Sequence, residues 1–203
     1  MWWPASSRFE MMVGALLVQN TTWRQASQVI DRLRDHSLLD PVTFSTVPIS
    51  RMQELLKPAG FFRVKSQRLR NLLALLERYD YDLDRLFSQK APELRKTLLA
   101  VNGIGKETAD SIVCYGAGYP VFVVDAYARR LAKRLQWQHH DAEYDLLRKS
   151  VEQSFNGVME QLGELHGLIV VHCKEVCRKK PLCVQCVLKQ PPLNCPFPRG
   201  ESL

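Results

Sequence analysis

The chain lacks any apolar run of membrane-spanning length and opens with no secretory signal, so the expectation is a cytoplasmic protein with no membrane partner. It also lacks convincing strand patterns, internal repeats and low-complexity linkers, which sets aside sheet-based and repeat architectures. Acidic side chains are in deficit. Against 28 Lys and Arg there are 21 Asp and Glu, leaving a formal charge of +7 and a pI near 9.2, which favours an anionic partner. At 203 residues the chain is long enough to bury a real core, in one domain or two small lobes. Its opening, Met1-Trp2-Trp3-Pro4, is abrupt.

Helical periodicity dominates what is present. Ser7-x-x-Glu10 has the form of a capping box for a helix through Phe9, Val13, Leu16 and Leu17, which breaks at Gln19-Asn20-Thr21-Thr22. Ala26, Val29, Ile30 and Leu33 mark a second helix, and residues 36–50, with Pro41 and Pro48, read as a loop. Ser50-x-x-Gln53 then opens a short helix ending near Pro58 and Gly60. An amphipathic helix covers 64–78 through Leu69, Leu72, Leu73 and Leu76. Val151, Phe155, Leu162, Leu165 and Ile169 suggest two more helices. The fold class is all-α.

The most informative stretch runs from Leu94 to Arg134. A helix carrying Leu94, Leu98 and Val101 stops at Asn102-Gly103, and after Gly103-Ile104-Gly105 another begins with Ala109, Ile112, Val113 and Gly116 at helical spacing. Such a Gly-X-Gly hairpin leaves backbone N–H groups free at a helix start, where glycines let a phosphate come close and the helix dipole favours an anion. Lys106 adds a cation. The apolar run Val121-Phe122-Val123-Val124 then delivers Asp125 to another helix, with Ala128, Leu131, Ala132 and Leu135 on one face. Position alone makes Asp125 an N-cap. A carboxylate fixed there also stays ionised and can face a sugar that is becoming cationic.

Basic residues cluster three times: Arg63, Lys65, Arg68 and Arg70; Arg129, Arg130, Lys133 and Arg134; and Arg178, Lys179 and Lys180. Any one cluster could be a solvated helix face, but three on a basic chain suggest a nucleic-acid footprint. Four of the six cysteines, Cys177, Cys183, Cys186 and Cys195, lie in a basic, proline-rich tail. Four thiolates in a short loop suit a metal centre, either zinc or a [4Fe–4S] cluster, and composition does not separate the two. Cys114 and Cys173 fall on helical segments and read as buried apolar fillers.

The pieces LLAVNGIGKETAD and VVDAYARR, in this order and at this distance, resemble the helix–hairpin–helix DNA glycosylases of the endonuclease III superfamily. The resemblance extends from Phe9 to Cys195. It implies two lobes: a six-helix barrel over 9–122, and a second helical lobe from 1–8 and 123–203, with a DNA-binding cleft between them. It implies Asp125 as the catalytic residue, and Gly103, Ile104, Gly105 and Lys106 as DNA contacts together with Arg178, Lys179 and Lys180. Gln19 matches the wedge that fills the gap left by an extruded base. The resemblance also favours [4Fe–4S] over zinc on the four cysteines, although the outer gaps of the loop differ from the usual family spacing. A monomer acting on damaged double-stranded DNA at the nucleoid is expected.

Members of that superfamily that also cut the strand carry a lysine two positions after the second hairpin glycine. Here that position is Glu107, which cannot form a Schiff base, so lyase activity is not expected. Lys106 lies roughly 100° away around the helix. The segment WWPASSRFEMMVGALLVQNTTW, taken with the two motifs above, looks like the 3-methyladenine DNA glycosylase III branch. That likeness makes Trp2, Trp3, Pro4 and Trp23 the substrate-binding residues and implies excision of alkylated purines (3-methyladenine, 7-methylguanine type), whose cationic bases suit aromatic walls. The residue after His166-Gly167 is Leu168, where the best-known form of the branch has a lysine. The alternatives are a mismatch (thymine or adenine) or oxidised-pyrimidine glycosylase of the endonuclease III type, and a non-catalytic DNA-binding helix–hairpin–helix protein.

Overall fold

A computed structural model describes residues 2–155 and 159–198. Its elements are helical, with no strand among the described residues, in keeping with the all-α expectation. The chain divides into two compact units, Trp3–Tyr119 and Met1–Trp2 with Pro120–Leu203.

In the first unit, α1 (Arg8–Leu17) is buried from Phe9 through Leu17, including Glu10 and Gly14. A helix apolar on all sides belongs at the centre of a bundle, and α1 packs against the helices that follow. Ser7 caps it by accepting the N–H of Glu10 at 3.1 Å. The Glu10 carboxylate instead takes the Ser6 hydroxyl and the Arg34 guanidinium. Around α1 lie α2 (Trp23–Asp35), α3 (Pro41–Ser45), α4 (Ile49–Leu56), α5 (Phe62–Glu77), α6 (Leu83–Phe87), α7 (Ala91–Leu99) and α8 (Lys106–Ser111), the last continuing as a π-helical turn, Ile112–Gly116. The expected loop at 36–50 holds α3. There Asp40 caps the helix through the Thr43 N–H and Pro41 occupies its first turn, a start signal masked by reading the proline as a breaker. Likewise α4 starts at Ile49, after Pro48, with no side-chain cap from Ser50.

The second unit contains α9 (Ala126–Arg134), α10 (Tyr144–Ser154) and α11 (Met159–Glu175). Phe122, Val124, Leu131, Leu147, Leu162, Ile169 and Cys173 form its core. Phe155 lies just beyond α10 and packs against that core as a partly buried residue. The apolar run Val121–Val124 is buried yet makes no sheet. Its alternate N–H groups are met by side chains: Phe122 donates to Glu152 at 3.0 Å and Val124 to the Tyr144 hydroxyl at 3.3 Å. Two of its backbone donors are thus satisfied without a partner strand.

Candidate functional site

The hairpin joins α7 and α8, and an ion pair braces the two arms. Asp110, fully buried, takes Arg95 Nε at 2.6 Å and Arg95 Nη2 at 3.1 Å, a bidentate fork. Gly103 has φ +98°, and a Cβ there would collide with the aliphatic stem of Arg68. Ile104 turns inward, buried, while Gly105 is exposed and a Cβ on it would meet nothing of the protein within 4 Å. The fold therefore needs glycine at 103 but not at 105. Lys106 and Glu107 are exposed on the first turn of α8.

Gln19 is tied to this hairpin. Its Nε2 donates to Gly103 O at 3.1 Å and to Thr108 Oγ1 at 2.7 Å, and its Oε1 accepts from Arg68 Nη1. Asn71 adds a donation to Asn102 O at 2.9 Å. Arg68, which the sequence groups with a basic cluster, thus holds the turn and the hairpin in register. Phe61, just before α5, is 67% exposed at φ +45°, an unusual backbone for a bulky residue. No sequence pattern singled it out.

Trp3 meets Trp23 edge to face (5.6 Å between centroids, 86°) and lies tilted against Tyr115 (5.5 Å, 41°). Gly14 forms the floor, since a Cβ there would stand 3.5 Å from the Trp3 indole nitrogen. The two tryptophans are not parallel walls. Tyr115 sits on the π-helical turn, a local widening frequent at functional sites, and sequence reasoning missed it. Pro4 is exposed. Trp2 belongs to the other unit, packed on His166 and Gly167.

Asp125 caps α9, its Oδ1 accepting the Ala128 N–H at 2.7 Å. Its Oδ2 lies 3.6 Å from His166 Nε2, and the side chain keeps 14% of its surface exposed. Oδ1 is thus committed to the cap, and Oδ2 faces the imidazole.

Cys177, Cys183, Cys186 and Cys195 line one cavity, together with Arg134 and Phe197. Arg134 was expected in the nucleic-acid footprint, but it is buried and serves the loop. Its Nη1 donates to Cys177 O and Cys177 Sγ, both at 3.0 Å, and to Arg178 O at 2.7 Å, while Nη2 donates to Lys179 O at 3.0 Å. Cys173, read as a filler, is buried on α11, with its thiol 3.7 Å from Tyr127 O. The Cys173 thiol donates toward Cys177 and, aided by Arg134, holds the Cys177 thiol down at about 5, while Cys173 itself is pushed up. Burial raises Cys186, whose sulfur lies 3.6 Å from His172 Nε2. Among the described residues, no three His, Cys, Asp or Glu side chains are grouped so as to hold a metal ion.

The basic clusters resolve into two kinds of residue. Lys65 is buried, donating to Ala59 O at 2.6 Å, and Arg70 binds the carbonyls of Ser45 and Val47. Charge alone did not distinguish these internal roles from surface ones. Arg63, Lys133, Arg178, Lys179 and Lys180 are exposed. Lys133 and Lys179 line an open groove with Arg129, Arg130 and His140 beside the first turn of α9. No helix among the described residues is long and apolar enough to cross a membrane.

Comparison with known proteins identifies the family. Residues 13–156 match the family model of the HhH-GPD superfamily base excision DNA repair proteins. A protein of Methanocaldococcus jannaschii, provisionally named a DNA repair glycosylase, is 41% identical over 191 residues, covering 93% of this chain and 87% of its own length. Endonuclease III of Sulfolobus acidocaldarius is 25% identical over 183 residues, 89% of this chain and 79% of its own. Among solved structures, the 3-methyladenine DNA glycosylase of H. pylori bound to 1,N6-ethenoadenine superposes with a TM-score of 0.75 at 27% identity, covering 86% of this chain and 88% of that one. The chain belongs to the HhH-GPD superfamily and is a DNA glycosylase of base excision repair.

Proposed function

We propose that the protein is a monofunctional glycosylase that removes alkylated purines, of the 3-methyladenine and 7-methylguanine type, from double-stranded DNA and leaves an abasic site. The observation that carries this reading is the division of labour at Asp125: Oδ1 is fixed by the Ala128 N–H, while Oδ2 takes no part in the cap and lies 3.6 Å from His166 Nε2. A carboxylate so held supplies negative charge to a deoxyribose that becomes oxocarbenium-like as its base departs, and it can orient the attacking water. A purine methylated at N3 or N7 is already cationic and leaves without a general acid. Trp3 and Trp23 are half-buried and meet edge to face, and an indole face turned to such a base attracts its positive charge. Trp2 and Pro4 complete the proposed substrate-binding set.

The remaining residues divide between holding DNA and replacing the extruded base. Gly103, Ile104, Gly105 and Lys106 grip a phosphate, and the open side of Gly105, which the fold itself does not require, supports that role. Arg178, Lys179 and Lys180 hold the backbone elsewhere, joined by Lys133. Gln19 and the exposed ring of Phe61 fill the gap in the stack, Gln19 after releasing its hairpin contacts. Glu107 stands where a lyase would need an amine, so the strand is left uncut.

Cys177, Cys183, Cys186 and Cys195 would hold a [4Fe–4S] cluster. The four thiols line one cavity, and four thiolates offer one ligand to each iron of such a cluster. When bound, the cluster supplies rigidity to the loop bearing Arg178 to Lys180. A brown protein absorbing at about 400 nm is expected, and a colourless one with stoichiometric zinc would overturn that assignment.

Likeness to endonuclease III of S. acidocaldarius supports a second reading, removal of oxidised pyrimidines or mispaired bases. Single-turnover assays on duplexes containing N3-methyladenine, N7-methylguanine, thymine glycol and G·T decide between them. Release of the methylated purines supports the proposal, and release of only thymine glycol or thymine supports the second reading. No release from any of them points to a DNA-binding protein without catalysis.

A further inference from the structure

His166 has no part in the chemistry above, yet it is 4% exposed and aims Nε2 at Asp125 Oδ2, 3.6 Å away. Its ring meets the edge of the Trp2 indole (5.7 Å between centroids, 83°). Gly167, the next residue on α11, keeps this packing possible, because a Cβ there would collide with the same indole. Trp2 therefore rests on a notch in α11 and confines the imidazole that faces the oxygen left over by the helix cap.

We propose that His166 is a positioning residue for Asp125. The terminal torsion of an aspartate is broad and roughly two-fold, so one bond from the Ala128 N–H fixes one oxygen and leaves the carboxylate plane poorly determined. An imidazole N–H presented to Oδ2 sets that plane. At 3.6 Å the contact is longer than a formed hydrogen bond, as catalytic contacts often are before substrate draws the site together. Trp2, part of the proposed substrate-binding set, also backs the histidine. The inference rests on Asp125 being the catalytic carboxylate.

The test compares donor with shape, using the full chain and the lesion that the wild type excises, under single-turnover conditions. His166→Phe keeps a flat ring against Trp2 but has no proton to give, whereas His166→Gln keeps an N–H near the Nε2 position. His166→Phe is expected to bind abasic duplex like wild type and release base about 10- to 100-fold more slowly, the loss typical of removing an outer partner of a reactive group. His166→Gln is expected to stay within about threefold of wild type on the same scale. Where Phe is not tolerated, as shown by circular dichroism, Gln and Met are alike in length and make the same comparison. Wild-type rates in the Phe or Met variant, or an equal loss in the Gln variant, would overturn the inference. An Asp125→Asn control that keeps full activity would instead remove the catalytic reading beneath it.

Discussion

Arg134 Nη1 lies 3.0 Å from Cys177 Sγ and also reaches the carbonyls of Cys177 and Arg178. This buried guanidinium organises the start of the cysteine loop from the end of α9, the helix that Asp125 begins. Phe197, near the far end of the loop, stacks on it at 4.6 Å. Arg134→Met keeps most of the volume but removes the Arg134 donors to the carbonyls of Arg178 and Lys179 and to the Cys177 sulfur, while Cys177 O keeps its bond from Arg130. A loss of about 3 kcal/mol or more is expected, read by thermal or urea unfolding. Arg178→Met, on the exposed neighbour, should change stability by less than about 0.5 kcal/mol.

The hairpin glycines should part company. Gly103→Ala faces both a positive φ and the stem of Arg68, so it should lower stability by more than about 1 kcal/mol. Gly105→Ala adds a methyl to open space at an ordinary backbone angle and should fold like wild type. It should still weaken binding to abasic duplex, because the methyl occupies the space a phosphate would need. Equal DNA affinity in Gly105→Ala and wild type, by fluorescence anisotropy, would remove the phosphate from that place.

Lys65 gives a pH signature. Burial first, then the nearby Arg68 charge, lowers its pKa from 10.5 to about 8. Between those values the unfolded chain binds more protons at this site than the folded one, so the contribution of Lys65 to stability rises with pH across that window. Below about pH 8 the cost of keeping the charge buried is constant. The stability of wild type relative to Lys65→Met should therefore increase from pH 8 towards 10.5, measured by urea unfolding at several pH values. A flat or falling difference would show that the amine is not held in its buried place.

Much of this molecule was legible in the chain because it follows from periodicity and from glycine. The helices carrying Leu94 and Ala109, the hairpin between them and the cap at Asp125 are local patterns, and each stands where the pattern puts it. What was hidden depends on side chains that reach across the fold. Arg68, Arg70, Lys65 and Arg134 look like surface charge in sequence, and only packing shows that their donors end on buried carbonyls or on Gln19. Arg134 did carry a hint, three positions after Leu131 on the apolar side of α9. Tyr115 gave none and His166 stood out only as the residue before Gly167, since each becomes informative through a tryptophan far away in sequence. The helix α3 was missed because Pro41 was read as a break when Asp40 made it a beginning.

Reduction of a mixture of enzyme and abasic duplex with borohydride should trap no covalent complex, because Glu107 stands where a lyase amine is needed. Glu107→Ala should leave base release within about threefold of wild type on the scale of catalytic losses. A strong trapped band in wild type that disappears in Lys106→Ala would make Lys106 an amine nucleophile and the enzyme bifunctional.

The central claim concerns the charge on Asp125. Asparagine caps a helix as well as aspartate does, so Asp125→Asn keeps the Ala128 contact and removes only the negative charge. Single-turnover base release by this variant, from whichever methylated purine duplex the wild type cleaves, should fall by at least about 100-fold while its affinity for abasic DNA and its melting temperature stay the same. Base release at the wild-type rate would show that the carboxylate is a cap alone.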